Sequence, residues 1–425
     1  MPLRFMLMLL LLAGRCWADT RLFVVQYNDE SLGRIDLAGG AVNAHVLDLG
    51  YGCNEIIALG SRLYVTNSLI NTVQEIDAEN QITLRDIPMT GGVNPYSLTA
   101  LNDDTLAVTN FVTNNVLLLR ISDGQIAGNV SVGLAPEGIL AHGDRLYVCL
   151  TRYSAQGYGP GRVMIYDRST LTLLDSLQVG VNPQFAAVDD RDRLHVVCTG
   201  NYMDVPGEIH VFHLTTRESV GVVSVGGAPS VVSFGGGWAF AAAGGWAGTG
   251  QVFRYRLNDL AVLNGATNPI QTGVGATDVV AMPDGSFFVS CALADAVEYR
   301  SADGTLLASY PMGAGPGCMA LYESASATPP GRVSPVQSAT LAEAFPNPFN
   351  SAVRLRLSAP ALRPSNITIY NCIGQMVETL GVPAGSAEAW WNPAAGDANR
   401  FSTGAYFAIW DGGGGGMPLR LLYVK

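Results

Sequence analysis

Lysine is nearly missing from this chain: of 24 basic residues, Lys425 is the single lysine and the others are arginine. Acidic residues number 35, giving a net charge of −11, and a surface of that sign repels phosphate backbones, which argues against nucleic acid as a partner. Charge of either sign is scarce at 14% against 48% apolar residues, which excludes the composition of a disordered chain. No CxxC pair exists, so zinc-ribbon and thioredoxin-type motifs are absent. No GxSxG elbow occurs, histidine falls to five residues, and no segment sustains a helical period.

What the chain has in abundance is glycine, 49 residues of it, set between short runs of β-formers. The length of 425 residues allows two or three domains, or one large repeat fold with an appendage. Residues 1–18 read as a secretory signal: Arg4, an apolar run from Phe5 to Leu12, and a small-residue exit with the cut after Ala18. That run is too short to span a bilayer comfortably, and no later stretch reads as a transmembrane helix. Six cysteines remain in the mature chain: Cys53, Cys149, Cys198, Cys291, Cys318 and Cys372. Export permits disulfides, and Cys149 with Cys198 or Cys53 with Cys318 are the pairs the repeats bring near one another, with buried free thiols as the alternative.

A strand-like run recurs as RLFVV at 21–25, RLYVT at 62–66, TLAVT at 105–109, RLYVC at 145–149, RLHVV at 193–197, GWAFA at 237–241 and SFFVS at 286–290. Seven copies spaced about 40 to 49 residues apart match the four-strand period of a β-propeller blade. The chain starts on the second strand of a blade and PGCMALY at 316–322 reads as a first strand, so the ring is expected to close by completing its first blade with its last strand. Residues 323–340 form a Pro/Ser/Ala-rich linker, and residues 341–425 alternate as a small antiparallel Ig-like β-sandwich. The fold class is therefore all-β: a seven-bladed β-propeller over 19–322 followed by a sandwich.

Residues YVTN at 64–67, AVTN at 107–110, NTVQEID and PEGI give the ring a resemblance to the YVTN-type β-propeller family, which implies fold more than activity. In the tail, AFPNPFN at 344–350, IYNCIGQMV at 369–377, PAG at 383–385, STGAYF at 402–407 and the final lysine stand in the order of the C-terminal sorting domains of type IX secretion substrates. That resemblance implies the type IX machinery as a partner, passage across an outer membrane, and a secreted or cell-surface protein.

Aligned first strands place Asn54, Tyr96, Glu137, Gln184, Ser230, Thr277 and Gly317 in one column at the channel mouth. The loops between second and third strands are enlarged in blades four to six: RYSAQGYGPG at 152–161, GNYMDVPG at 200–207 and GGWAGTG at 244–250. Long loops on a rigid scaffold concentrate binding residues, here Arg152, Tyr153, Tyr158, Tyr202, Asp204 and Trp246. These aromatics suit a glycan, peptide or protein ligand, or else pack on neighbouring blades. Glu55, Glu137, Asp204 and Asp278 form a carboxylate set near the mouth that leaves a divalent cation such as calcium, or acid–base chemistry, open. No other cofactor is indicated. GYGPG at 157–161 lacks the spacing of a phosphate loop, and the histidines fall away from the mouth, His210 and His213 on opposite strand faces. The sequence thus favours an exported binding scaffold; the alternatives are an extracellular lactonase- or lyase-like enzyme and a surface-layer or adhesion component.

Overall fold

The protein is seen in a computed structural model that describes residues 20–244, 248–323, 341–357, 361, 365–371, 375–393, 400–410 and 419–425. The expected leader, nearly all of the linker, Trp246 and Cys372 lie outside the described residues. The chain divides into two compact units, one ending at Ala327 and the other starting at Thr328.

Among its described residues the first unit holds seven antiparallel sheets of four strand positions, six of them built from consecutive stretches of chain, and a separate two-stranded hairpin of Tyr153–Ser154 and Gly157–Tyr158. In the sixth, the fourth position is split into Val262–Asn264 and Ile270–Gln271, both paired with Gln251–Arg256. The first strands are Pro316–Glu323, Cys53–Leu59, Pro95–Asn102, Pro136–His142, Pro183–Val188, Pro229–Gly235 and Ala276–Ala281. Each touches the next, and Pro316–Glu323 touches both Ala276–Ala281 and Cys53–Leu59, so the series closes on itself. The first sheet is completed from the far end of the unit: Thr20–Gln26 pairs with Pro316–Glu323 in the register Arg21↔Tyr322, Leu22↔Leu321 and Phe23↔Ala320.

Burial follows the position of a strand within its sheet. The second strands are inside on both faces, as in Leu63, Tyr64 and Val65, because each face lies against a neighbouring sheet. Between the fifth and sixth sheets, Val197, Val211, Ala239, Ala241 and Phe253 form one such layer. The fourth strands alternate between exposed and partly covered residues, as in Ile126–Ser131, because they face water.

A backbone irregularity repeats at the start of every first strand, between Cys53 and Glu55, Pro95 and Leu98, Pro136 and Ile139, Pro183 and Phe185, Pro229 and Val231, and Ala276 and Asp278, with the partner strand shifted at Val24/Gln26 in the first sheet. A bulge re-aims side chains and leaves backbone groups without ladder partners. The Thr of YVTN fills that gap. Thr66 Oγ1 accepts the Glu55 N–H at 3.1 Å and donates to the Tyr96 carbonyl of the next sheet at 3.0 Å. Thr109 repeats this with Ser97 N–H at 3.0 Å and the Glu137 carbonyl at 2.6 Å. Asn67 and Asn110 are fully buried beside these bulges. The YVTN threonine therefore ties one sheet to the next.

The second unit has a three-stranded sheet of Leu341–Phe345, Val353–Leu357 and Glu388–Trp391, and a four-stranded sheet of Met376–Val382, Ser365–Asn371, Gly404–Trp410 and Leu419–Tyr423. Its core centres on Trp391, which meets Phe349, Phe401 and Tyr406 edge-on at 5.1 to 5.6 Å. Asn347 of AFPNPFN pins the last strand, donating to the Arg420 carbonyl and accepting from Leu422 N–H, both at 2.8 Å. Tyr406 of STGAYF closes a corner on the Ser402 backbone.

Thr109→Val keeps the shape but strips the bulge of its hydroxyl, and should lower unfolding free energy by about 1–3 kcal/mol, read from urea denaturation. An unchanged urea midpoint would remove the inter-sheet role assigned to this threonine.

Candidate functional site at the mouth of the ring

One face of the ring is assembled by a repeated contact. In six of the sheets the residue after the second strand donates its N–H to the residue before the first strand: Tyr27 to Gly315, Ser68 to Gly52, Phe111 to Asn94, Thr151 to Ala135, Thr199 to Asn182 and Ala292 to Gly275, at 2.8 to 3.1 Å. The acceptors all have left-handed φ, from 54° to 82°, which reverses the chain and turns the following side chains toward the channel. Ala135 bears that conformation without the relief of glycine or asparagine. The loops between second and third strands and the starts of the first strands thus share one mouth.

The carboxylates at this mouth are not a solvated rim. Glu137 is only 4% exposed, and burial pushes its carboxyl up to about 8, although Tyr96, Gln184 and Thr151 present polar groups that pull it down. Its Oε2 makes no hydrogen bond. Glu55 and Asp278 keep a partial opening to the channel but are walled in by protein. Burial raises Glu55 to about 8, helped by the nearby charge of Asp278, and raises Asp278 to about 7 against two backbone N–H donors, Val279 and Met319, each at 2.7 Å. On the closing seam, Tyr27 Oη lies 2.9 Å from Cys318 Sγ, which sits 2.8 Å from the Asn54 carbonyl. Burial first, and then Glu55 and Asp278, hold the Cys318 thiol well above its usual range. Asp204 stands apart from this set, exposed on its loop and accepting from Asn201 Nδ2 at 2.7 Å.

Around Glu137 runs a continuous arc of aromatic rings. Tyr96 is 6.3 Å from Phe111, Phe111 is 6.3 Å from Tyr153, Tyr153 is 4.9 Å from Tyr158, and Tyr158 is 6.4 Å from Tyr202. Tyr153 and Tyr158 oppose one another in a two-residue hairpin within the fourth sheet's enlarged loop. Tyr153 and Tyr202 are 47% and 60% exposed. Glu137, ahead of burial, raises the phenol of Tyr96, and it adds to the burial that raises Tyr158 and Tyr202. Gln184 is held beneath by Thr199 Oγ1 at 2.9 Å and Tyr202 Oη at 3.4 Å.

Tyr96, Glu137, Gln184, Tyr153, Tyr158 and Tyr202 therefore come together across the third, fourth and fifth sheets. Arg152 lies beside them, with left-handed φ and its Nη1 3.4 Å from the Pro160 carbonyl. Asn54 and Thr277 belong to the other side of the mouth, Thr277 bonded to Ser290 Oγ at 2.9 Å. Glycines Gly161 and Gly207 close the enlarged loops where a Cβ would meet Gly180 O and Pro229 Cδ of the neighbouring turn.

Three members were missed in the sequence. Phe111 and Tyr27 occupy the slot after the second strand, elsewhere Ser68, Thr151, Thr199, Gly244 and Ala292; aligning strand ends exposes them as the aromatic exceptions. Asn182 has no such signal, because an asparagine before a Pro-initiated strand reads as turn chemistry.

Among the described residues no group of three or more His, Cys, Asp or Glu is placed to hold a metal ion. Cys53, Cys149, Cys198, Cys291 and Cys318 are all free thiols, so neither suggested disulfide forms. His195 is wholly buried in a separate network, its Nδ1 2.8 Å from Tyr255 Oη and its Nε2 3.1 Å from Asp189 Oδ2.

Residues 343–416 match the family model of the secretion system C-terminal sorting domain. The tail is a type IX sorting domain. This sorting domain makes the protein a secreted or cell-surface one and implies contact with the secretion machinery. No helix among the described residues is long and apolar enough to cross a membrane. No curated protein matches the chain. Solved structures similar to it include a candidate 6-phosphogluconolactonase from Bacteroides fragilis, at 12% identity and TM-score 0.56, covering 72% of this chain and 98% of that one. A functionally unknown protein from Desulfotomaculum acetoxidans is similar at 14% identity and TM-score 0.55, covering 71% and 98%. Kuenenia stuttgartiensis hydrazine synthase follows at 14% and 0.53, covering 64% and 96%. At these identities the likeness shows a propeller-like fold alone.

The raised acids set a sign for stability against pH. Their folded values, about 7 to 8, lie above the ordinary 3.8 to 4.5, so their contribution is full below about pH 4 and is lost as pH rises through 7 to 8. The melting temperature should fall between pH 5 and pH 9, and Glu55→Gln with Asp278→Asn should flatten that slope. Equal melting temperatures at both pH values would contradict the buried-acid assignment.

Proposed function

We propose that the protein is an exported seven-bladed β-propeller of the YVTN type whose mouth captures a ligand, and whose Ig-like sorting domain serves export alone. The observation that carries this reading is the aromatic arc from Tyr96 to Tyr202, two of whose rings stand open to solvent beside a buried polar floor. Rigid aromatic faces give large contact area at small entropic cost, and exposed ones beside unpaired polar groups are more than stability requires. The ligand site spans the third to fifth blades, one blade earlier than the loop lengths alone indicate.

Catalysis of a lactonase or lyase kind is the second reading. It draws on Glu55 and Asp278, both raised by burial, with the charge of Asp278 adding to the rise at Glu55, to values suited to proton transfer near neutrality. The fold of the Bacteroides fragilis neighbour is compatible with it.

Tyr153→Ala and Tyr202→Ala should each weaken binding on peptide or glycan arrays while lowering unfolding free energy by no more than about 1 kcal/mol, since both residues are about half exposed. Unchanged binding in both variants sinks the capture reading. For export, a chain ending at Glu323 should accumulate inside the outer membrane of a type IX-competent host; its appearance outside would refute the role given to the tail.

A further inference from the structure

The exposed apolar side chains of the ring are not spread evenly. Those carried by loops all lie on the mouth face, after the second strands or before the first strands, as in Leu69, Val112, Leu134, Met203, Val274 and Leu293, which are 42% to 86% exposed. Among the described residues the loops of the opposite face expose no large hydrophobic side chain, and the remaining ones of the ring sit on fourth strands. Backbone bonds set several of the mouth residues in couples. Leu69 N–H donates to the Tyr51 carbonyl at 3.2 Å, Val112 to Val93 at 3.2 Å and Leu293 to Val274 at 3.0 Å, and all six side chains are exposed. One recurring bond thus builds an apolar couple at the second, third and seventh sheets. A rim fixed by backbone loses little freedom when it is covered.

Charge is divided the other way. Among the described residues the loops of the mouth face hold one basic residue, Arg152, and the acids Asp29, Glu30, Asp204 and Asp295. Three of those acids are engaged within the face: Asp29 accepts from Ala314 N–H at 3.0 Å, Asp204 from Asn201 Nδ2 at 2.7 Å and Asp295 from Gly315 N–H at 2.9 Å. The opposite loops carry far more charge, including Asp103, Asp144, Asp190, Arg191, Asp259 and Asp303. With a net charge of −11, two copies of this chain repel one another wherever their acidic surfaces meet. The mouth face is where that repulsion is thinnest. The charges of the opposite loops lie about 20 Å away, the length of a six-residue strand, well beyond the roughly 8 Å over which salt leaves them felt. A lipid surface is a poorer match, since interfacial docking faces set Lys and Arg around their apolar residues and this one has Arg152 alone.

We propose that the mouth face is a self-association surface, on which a second copy of this chain docks rim to rim about a two-fold axis. In such a pairing the same patch serves both subunits, so a surface that is apolar and nearly free of charge is complementary to itself. The patch draws on five of the seven sheets, the second to the fifth and the seventh, a spread that suits the roughly 20–30 residues a side of a stable interface. Pairing turns the two aromatic arcs toward one another, so a ligand held at one mouth is enclosed by the other. The proposal goes beyond the capture reading and stands without it, because rim residues outside the arc carry it.

The test is sedimentation of the full chain between about 1 and 100 µM, a span that brackets the micromolar end of the affinities such interfaces reach. A dimer should form as concentration rises. Leu69→Asp with Leu293→Asp, both exposed and both outside the arc, should weaken it at least about tenfold by setting like charges into an apolar contact. A chain that stays monomeric at the highest concentration overturns the inference, with no variant needed. A dimer that survives the double substitution overturns it too, since the contact then lies elsewhere, as on the exposed Trp390 of the sorting domain. So does a monomer that floats with phosphatidylcholine vesicles and leaves them on the same substitutions, which makes the rim a lipid-docking face. Neither substitution alters a residue of the aromatic arc, so the array measurement of capture stands or falls separately.

Discussion

Everything at the mouth depends on one antiparallel pairing, that of Thr20–Gln26 with Pro316–Glu323. These strands lie at opposite ends of the first unit, and their ladder joins the start of the ring to its end. Without it both strands would present a row of unpaired N–H and C=O groups, and the cycle of first strands would have a gap. The pairing also builds half of the channel chemistry, because it carries Tyr27 to Cys318 and sets both beside Glu55 and Asp278. Closure and the composition of the mouth are thus one constraint.

Within the ring, stability and the site compete for the same positions. Each first strand begins with a bulge that must be satisfied. In the second and third sheets a threonine does this, while Asn67 Oδ1 and Asn110 Oδ1 beside it stay buried without a hydrogen bond. Elsewhere that slot is Val25, Cys149, Val197, Ala242 or Ser290, whose hydroxyl still accepts the Asp278 N–H at 3.0 Å, and the neighbouring turns carry longer loops or larger side chains. The fourth and fifth sheets give up the regular threonine and asparagine, and there the unpaired Asn182 and much of the aromatic arc are found. Departure from the repeat marks the place where the enlarged loops bring tyrosine rings to the mouth.

Repetition made most of the ring legible in advance. Seven spaced copies of a β-rich run, with turns of Asp and Gly between them, specify antiparallel sheets of four strands. The odd strand at 316–322 specifies how the first sheet is completed. The tail was legible for a different reason: Asn347, Tyr406 and Phe349 stand at fixed spacing because each fastens a particular strand. The site was legible only in part. Tyr153, Tyr158 and Tyr202 could be picked out from loop length, and Tyr96, Glu137 and Gln184 from the aligned column. That Glu137 is buried could not, since a Glu after a Pro at a strand start looks the same whether it faces water or the phenols of two other sheets. Phe111 lay in a turn of ordinary length, where nothing drew attention to it.

By itself the sequence determined the all-β class, the repeat, the manner of closure and the sorting tail, because each is written in local periodicity or in short motifs whose spacing survives without contacts. Only the tertiary structure decided which side chains share the mouth, that burial holds its acids well above their ordinary range, and that the threonines of the repeat bind sheet to sheet. Those facts depend on atoms from different sheets arriving within a few ångströms of one another, and the distance between sheets in the ring has no counterpart in distance along the chain.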